Sequence, residues 1–426
     1  MKRIGLALLL AGGLPLGEAS AQEAVPGGPP WSVNPAPAAW RFQPSISFTY
    51  DSFGQRYTIA DEDTLDLVDE MSGQLVTSLV HTGRTSVELK NMLGVGEEAT
   101  RNDLLVSLRR RFGALDLRLT DDLRYKAYRE HSDYGLSSDY LTNTARAIAT
   151  WRLAGRWRLR IDDRFELADF AERTRYNYDY VRNDIGGEVE RRYGILSTLR
   201  SGYSYGWRSV PDSTEIDYQR HLIEAHWDQE FGLHTLAVGQ LLERRLYGDP
   251  TVRSHYVDYQ TTMSFSASLR PELRLRPEYT ASIITYDTPD SVYSDASEQS
   301  FELILERDLS DRTTLGVGPG GEFRRTNSSF DRAYNQWSLK GTLSYLAGSS
   351  LWVQFTNELG VRSYLAGDDI LYSDYIFNWT TLYLSYEFVP RLTLDLFFSM
   401  NPESHDDEQN NTTTLLASTA ITWGLR

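Results

Sequence analysis

The sequence predicts an all-β protein: a transmembrane, antiparallel, up-and-down β-barrel of about 20 strands. Three observations carry that prediction. The N-terminus has the layout of an export signal. The rest of the chain alternates polar and apolar residues in stretches long enough to cross a bilayer obliquely. The breaks between those stretches are by turns short and long.

At the N-terminus, Lys2 and Arg3 precede an apolar stretch, Ile4 to Leu16, which is broken by Gly12, Gly13 and Pro15. Ala19-Ser20-Ala21 follows as a small-x-small triplet. Charge, apolar segment and triplet in that order predict a secretory signal peptide over residues 1–21, cut after Ala21. A buried N-terminal helix would not require that order. Gln22 to Ala39 carries five prolines, so residues 22–40 read as a flexible periplasmic lead-in. The barrel is assigned to 41–426. Only 18 residues lie between the cleavage site and Ala39, which leaves no room for an N-terminal plug.

Composition narrows the function. A formal net charge of −16 argues against a nucleic-acid partner, which would need a basic surface. The chain has no cysteine, so it uses no disulfide in an oxidising compartment, and thiolate zinc, iron–sulfur, c-type haem and cysteine-nucleophile chemistry are excluded. After the signal, no stretch approaches the ~18 continuous apolar residues of a membrane helix. Mean hydropathy is −0.43, as in soluble proteins, yet 26 Tyr, 16 Phe and 10 Trp make a heavy aromatic load. A barrel reconciles these values, because only alternate residues need to be apolar.

The strand pattern is clearest at Arg391 to Met400. Leu392, Leu394, Leu396, Phe398 and Met400 fall on one face; Arg391, Thr393, Asp395, Phe397 and Ser399 fall on the other. Leu115, Leu117, Leu119, Leu123, Tyr125 and Ala127 likewise share a face, interrupted by Asp121. Leu351, Val353, Phe355, Leu359 and Val361 form a third. A helix would scatter such sets around its axis, whereas a strand segregates them. The strands read as 42–52, 72–81, 85–94, 102–112, 115–128, 139–153, 156–170, 178–192, 195–208 and 215–231 in the first half. The second half gives 233–247, 254–269, 273–286, 298–309, 312–325, 334–346, 350–364, 374–388, 391–401 and 412–423. Tyr57 to Met71 is long and acidic, so the first two strands carry the weakest pattern, and 18 is the alternative count. Single-chain bacterial barrels have even numbers.

Short connections such as Phe112-Gly113-Ala114, Leu153-Ala154-Gly155-Arg156 and Val389-Pro390-Arg391 alternate with longer polar loops. Those loops are Arg129–Ser137, Gly248–Arg253, Asp287–Ser297, Asn327–Arg332, Ala366–Ser373 and Pro402–Asn411. The rhythm matches tight periplasmic turns and longer outer loops, one hairpin every ~40 residues. A β-propeller has a similar period but packs four short strands into it and carries a recurring Trp-Asp signature that this chain lacks.

Aromatic residues sort by end. Trp151, Trp157, Trp227, Trp352 and Trp423 sit close to a short turn or the C-terminus. Tyr125, Tyr128, Tyr134, Tyr140, Tyr176, Tyr178, Tyr180, Tyr286, Tyr293, Tyr364, Tyr372 and Tyr375 gather near long loops. Two interfacial girdles are the natural expectation. Trp207, Trp337 and Trp379 lie nearer the long loops and break the division.

Signal, alternating strands, short–long loops, girdles and a final strand over Thr412–Trp423 together resemble the broad superfamily of Gram-negative outer-membrane β-barrels and porin-like proteins. The resemblance covers about residues 41–426 and picks out no subfamily. It implies residence in the cell outer membrane, contact with lipid and lipopolysaccharide, and insertion by the barrel-assembly machinery. Such barrels commonly finish on an aromatic residue; here Trp423 is followed by Gly424-Leu425-Arg426, a departure from that ending.

The polar face of each strand must point inward, because an Arg or Lys facing lipid at mid-membrane costs ~2–4 kcal/mol. That face is dense with Arg109, Arg111, Arg118, Arg124, Arg146, Arg152, Arg156, Arg158, Arg160, Arg164, Arg200 and Arg208, joined by Lys126. Hairpin pairing would set Arg160 opposite Glu188, Arg158 opposite Glu190 and Arg146 opposite Asp162. Later strands look sparser, with Glu302, Glu306, Lys340, Glu358 and Arg362. These charges either brace and solvate a wide wall or form a cationic arc that attracts anions.

The acidic segments Asp61-Glu62-Asp63, Asp287 to Asp295, Asp368-Asp369 and Asp406-Asp407-Glu408 read as solvated loop tips. A divalent cation shared with lipopolysaccharide is the alternative, although no loop has full calcium-site spacing. None of the seven histidines stands in an i, i+4 metal pair, and no His-Glu-x-x-His occurs. His221 and His226 should lie on opposite faces of one strand. No enzyme, cofactor or metal site is therefore expected. The expected function is a water-filled pore for small polar or anionic solutes, or an export channel that depends on a periplasmic partner. The competing expectation is a structural barrel that sheaths or anchors another protein.

Overall fold

A computed structural model describes residues 39–59, 62–82, 85–129, 138–173, 177–195, 197–290, 292–328, 332–348, 350–365, 373–406 and 410–425, with the backbone alone at 39, 53–59 and 62–70. The signal peptide and most of the lead-in lie outside these residues, as do His131, Tyr134, Tyr176, Tyr372, Asp61, Asp368, Asp369, Asp407 and Glu408.

The strands are β1 (Ala39–Ile59), β2 (Glu62–Thr82), β3 (Thr85–Gly96), β4 (Ala99–Phe112), β5 (Leu115–Tyr128), β6 (Tyr140–Arg152) and β7 (Trp157–Phe170). There follow β8 (Tyr180–Arg192), β9 (Thr198–Ser209), β10 (Tyr218–Phe231), β11 (His234–Tyr247), β12 (Tyr256–Arg270), β13 (Leu273–Tyr286) and β14 (Ala296–Ser310). The last are β15 (Thr313–Thr326), β16 (Tyr334–Ala347), β17 (Leu351–Tyr364), β18 (Tyr375–Val389), β19 (Leu392–His405) and β20 (Thr412–Gly424). Each strand pairs antiparallel with its sequence neighbours, and β1 pairs with β20, so one 20-stranded sheet closes on itself. Closure satisfies every ladder without an edge, which a sheet in lipid requires.

The largest departure from the sequence pattern is at β1 and β2. Each has 21 residues, paired without interruption from Ala39↔Thr82 to Ile59↔Glu62, where a long acidic loop was expected. The partner strands explain why the pattern failed. β20 covers β1 only over Ser45–Tyr57, and β3 covers β2 only over Ser72–His81. The Glu62–Met71 part of β2 therefore pairs with β1 alone, so strict apolar alternation is not imposed on that segment.

Directly opposed residues of an antiparallel ladder share a face. One face carries Leu104, Leu108, Leu119, Ile161, Leu199, Ile223, Leu242, Met263, Leu303, Leu339, Leu359, Leu382 and Ile421, all exposed. This is the outer, lipid-facing surface. The register carries the assignment round the barrel, for example through Leu104↔Leu123, Leu199↔Trp227 and Leu359↔Leu339. Most of the charged strand residues occupy the other, lumenal face; Asp121 and Asp163 are exceptions on the outer one.

Candidate functional site

The lumenal wall is built from alternate residues. Arg109 faces Arg118, Arg146 faces Arg164, Arg152 faces Arg158, and Glu190 lies between Arg158 and Arg200. Arg160 faces Glu188. Arg111, Arg124 and Arg208 share the inner parity of their strands, as do Asp162 and Lys126; Arg156 lies in the turn after β6. Arg146 is not opposite Asp162. The turn is centred one residue later than expected, at left-handed Gly155, which places Asp162 opposite Ile148. Arg146 reaches Asp162 diagonally instead, at 2.5 Å.

Like charges directly opposed repel, and each such pair here has an acid within reach. Asp116 binds Arg109 at 2.5 Å and Arg111 at 3.2 Å. Asp162 is shared by Arg146 and Arg160, the latter at 2.6 Å. Glu190, 3% exposed, binds Arg158 and Arg192. Arg124 pairs with Asp122 (2.5 Å), Arg164 with Glu166 (2.8 Å) and Arg200 with Asp228 (3.5 Å). Arg208 has no acid; it donates to Ile216 O (2.7 Å) and Tyr178 Oη (3.2 Å). Among the described residues, Arg118, Arg152 and Arg156 have no side-chain hydrogen-bond or ion-pair partner. Bracing and free cation therefore coexist on one wall.

Strand parity also places residues that the sequence reading did not single out. Arg101, Arg182, Arg192, Arg220 and Arg245 face inward, with Asp103, Asp184 and Glu243 beside them. Asp184 is gripped by Arg182 (2.6 Å) and Arg220 (2.8 Å) and lies over Gly206, where a Cβ would stand 2.1 Å from its Oδ1. With Gly186 and Gly202 these small residues leave a wall recess of about 420 Å³ lined by Arg146, Arg160 and Arg182. The far arc is not sparse. β14 alone turns Glu298, Glu302, Glu306 and Asp308 inward, answered by Arg324, Lys340, Arg276 and Arg274. Arginine outnumbers acid along β4–β9, and acid dominates β14.

The tyrosines near the long loops do not form a lipid-facing girdle. Tyr128, Tyr140, Tyr180, Tyr286, Tyr364 and Tyr375 lie on the inner parity, as do Tyr218, Tyr247, Tyr256 and Tyr334; Tyr125 alone of the described strand residues in that group faces out. Neighbouring rings meet inside the outer mouth, T-shaped or tilted: Tyr218–Tyr247 (6.1 Å), Tyr247–Tyr256 (6.4 Å), Tyr256–Tyr286 (5.7 Å), then Tyr334–Tyr364 (5.9 Å) and Tyr375–His405 (4.6 Å). Arg245 stacks over Tyr218 and Tyr256, and Arg362 over Tyr334 and Tyr375. Tyr180 donates to Glu166 (2.5 Å), Tyr256 to Glu243 (2.7 Å) and Tyr334 to Glu322. Trp352 also faces inward, against Tyr383 at 5.0 Å, because its neighbours Leu351 and Val353 hold the outer parity. Trp151, Trp157, Trp227 and Trp423 face outward.

A repeated clasp fixes this collar. The residue before an inward-running strand accepts from the backbone N–H that ends the previous one: Asp139 from Tyr128 (2.8 Å), Asp179 from Phe170 (2.9 Å), Asp295 from Tyr286 (2.8 Å) and Asp374 from Tyr364 (2.7 Å). His255 does the same for Tyr247 (3.0 Å). Buried Ser138 and Ser254 tie each clasp to the next loop, through Glu172 N–H (2.9 Å) and Thr288 N–H (3.0 Å). Ser-Asp-Tyr at 138–140 and 373–375, with Ser-His-Tyr at 254–256, is the sequence signal that could have found the collar. Outside the strands, hydrogen bonding from Arg244 holds the Asp287 carboxyl below the usual carboxylate range, and the Thr251 hydroxyl and N–H do the same for Asp249. Among the described residues, no group of three or more His, Asp or Glu could hold a metal ion.

No protein-family model and no curated protein matches the chain. Solved structures do. The alcaligin outer-membrane receptor FauA from Bordetella pertussis superposes with a TM-score of 0.54 at 12% identity, covering 89% of this chain and 76% of the receptor. The siderophore receptor PirA from Acinetobacter baumannii gives 0.55 at 7%, covering 90% and 80%. The outer-membrane protein OpdK from Pseudomonas aeruginosa gives 0.47 at 13%, covering 90% and 98%. The fold is that of the outer-membrane β-barrels, and at these identities the likeness extends to the fold alone.

Proposed function

We propose that this chain is an outer-membrane pore for small polar solutes, with a preference for anions. The observation that carries the reading is the inner face of β4–β9. Its arginines outnumber its acids, and Arg118 stands among them with no partner among the described residues to neutralise it. Fixed cations along a pore wall raise the local concentration of anions and lower their entry barrier. The acidic inner face of β14 sets a field across the lumen, which would orient dipolar solutes. Among the described residues the connections are turns and short loops, none long enough to fold into a plug. Lipid and lipopolysaccharide would cover the outer face, and the assembly machinery would insert the barrel.

Single-channel conductance in a planar bilayer, with the reversal potential in a salt gradient, tests this. Stable steps with anion preference are expected, and Arg118→Glu should move the reversal potential toward cations without unfolding the barrel. A folded, heat-modifiable protein that gives no steps would overturn the pore and point to a barrel that houses a partner protein.

A further inference from the structure

The periplasmic rim beneath β6–β9 concentrates positive charge in a way the rest of the wall does not. The turn 153–156 and the residues after β8, 193–195, frame a cavity of about 720 Å³ lined by Arg152, Arg156, Arg158, Arg192 and Glu190. Four guanidiniums meet one carboxylate. Glu190 is 3% exposed and accepts from both Arg158 and Arg192, so that acid is fully occupied in fixing two of the four. Among the described residues Arg152 and Arg156 have no side-chain hydrogen-bond or ion-pair partner, and the buried Nε of Arg158 has none either. Three positive charges thus remain uncompensated around one opening.

The backbone supplies a second, independent observation. Arg156 has φ 69°, directly after Gly155 at φ 72°. Among the described residues only Arg156 and Arg391 are non-glycine residues at positive φ. A left-handed non-glycine residue costs roughly 1–2 kcal/mol, so glycine would fit the turn better. Strain of this kind clusters at ligand clamps. Here it places a long cation beside the opening.

We propose that this rim is a binding site for a compact oxyanion carrying two or more negative charges, a phosphate-type group. Planar guanidinium forks match the oxygens of such a group in bidentate fashion, and the residual charge of the site calls for a polyanion rather than a halide. The inference rests on the pore reading only for the route by which the ligand arrives. Binding itself requires no conductance.

Calorimetric titration of the refolded full chain in detergent tests the site, with inorganic pyrophosphate and p-nitrophenyl phosphate as probes. Saturable binding of pyrophosphate is expected, weakened about tenfold or more by Arg152→Gln and by Arg156→Gly. Arg244→Gln, at the opposite end of the barrel where Arg244 pairs with Asp287, should leave it unchanged. Arg156→Gly should also raise the unfolding midpoint, because it relieves the turn. A variant that is more stable yet binds more weakly is what a ligand site produces and a purely structural arginine does not. Equal binding of the monoester would identify a phosphorylated solute as the ligand class; loss of the monoester alone would identify free phosphate species. No saturable binding, binding unchanged in Arg156→Gly, or equal weakening by Arg244→Gln would overturn the site. Binding in a protein without conductance would leave the site standing and remove the pore, and conductance without binding would do the reverse.

Discussion

Asn143 donates to Asp121 Oδ1 at 3.0 Å on the outer face of the barrel, between β5 and β6, with Leu119 and Leu123 above and below the acid. Asn143 sits two residues from the position directly opposite Asp121, and the same diagonal recurs. Asn183 donates to Asp163 (3.0 Å), Asn91 to Asn102 (2.8 Å) and Asn357 to Asn378 (2.6 Å), and Tyr203 meets His221 at 2.8 Å. A carboxylate facing acyl chains is expensive, and one amide relieves only part of that cost. Asn143→Leu alone should therefore destabilise the barrel by ~1–2 kcal/mol, because it strands the acid. Asp121→Leu should be neutral or stabilising, and the double variant should be more stable than Asn143→Leu. Urea unfolding in lipid vesicles measures the cycle; additive effects within ~0.3 kcal/mol would show that the two side chains do not act as a pair.

Trp352 faces water and Trp151 faces lipid, so quenchers should tell them apart. Trp151→Phe should remove a component quenched by brominated acyl chains. Trp352→Phe should leave lipid quenching unchanged and remove a component quenched by iodide. The reverse pattern would return Trp352 to the interfacial girdle and undo the inner parity of β17.

Much of this architecture was legible because the bilayer imposes it. Wherever a strand must face lipid on one side and water on the other, period-two alternation appears, and strands such as Leu115–Tyr128 and Leu273–Tyr286 end where the pattern does. The Glu62–Met71 part of β2 escaped because β3 reaches only to Ser72, which leaves β1 as its one paired strand among the described residues. The tyrosine collar was misassigned for a different reason. Nearness to a loop says how high a residue sits, and only parity says which way it points. Tyr128 follows Arg124 and Lys126 by twos, so its inward direction was readable from the same alternation that placed the arginines. Ion-pair choice was not readable, since Arg146 has Arg164 opposite and Asp162 on the diagonal.

The outer clasps should behave as caps. Asp295→Ala leaves the Tyr286 N–H without its acceptor, at a cost of ~1–2 kcal/mol. Asp295→Asn keeps a carbonyl oxygen in place and should restore most of the loss. Hydrogen exchange at the Tyr286 amide should accelerate at least tenfold in the alanine variant and little in the asparagine variant. Equal exchange in both variants would mean that the loop, and not the carboxylate, protects that amide.

The β14–β15 ladder opens around Pro319, which has no N–H to donate. Pairing runs from Ala296↔Thr326 to Glu302↔Gly320 and resumes at Leu305↔Val317. In the gap the Leu303 carbonyl crowds Gly318, where a Cβ would stand 1.7 Å from that oxygen. A backbone atom cannot move aside as a side chain can, so Gly318→Ala must displace the strand itself. A loss of ~1–3 kcal/mol is expected, the range of overpacked sites. Gly320→Ala is the internal comparison. It also adds a lumenal methyl, but that methyl meets only the Ser338 hydroxyl at 3.1 Å and the Phe301 carbonyl at 3.4 Å. Its cost should be clearly smaller. Urea midpoints for the two variants in the same detergent decide the matter. If Gly318→Ala proves no worse than Gly320→Ala, the close approach of Leu303 does not exist in solution and the ladder is continuous past Pro319.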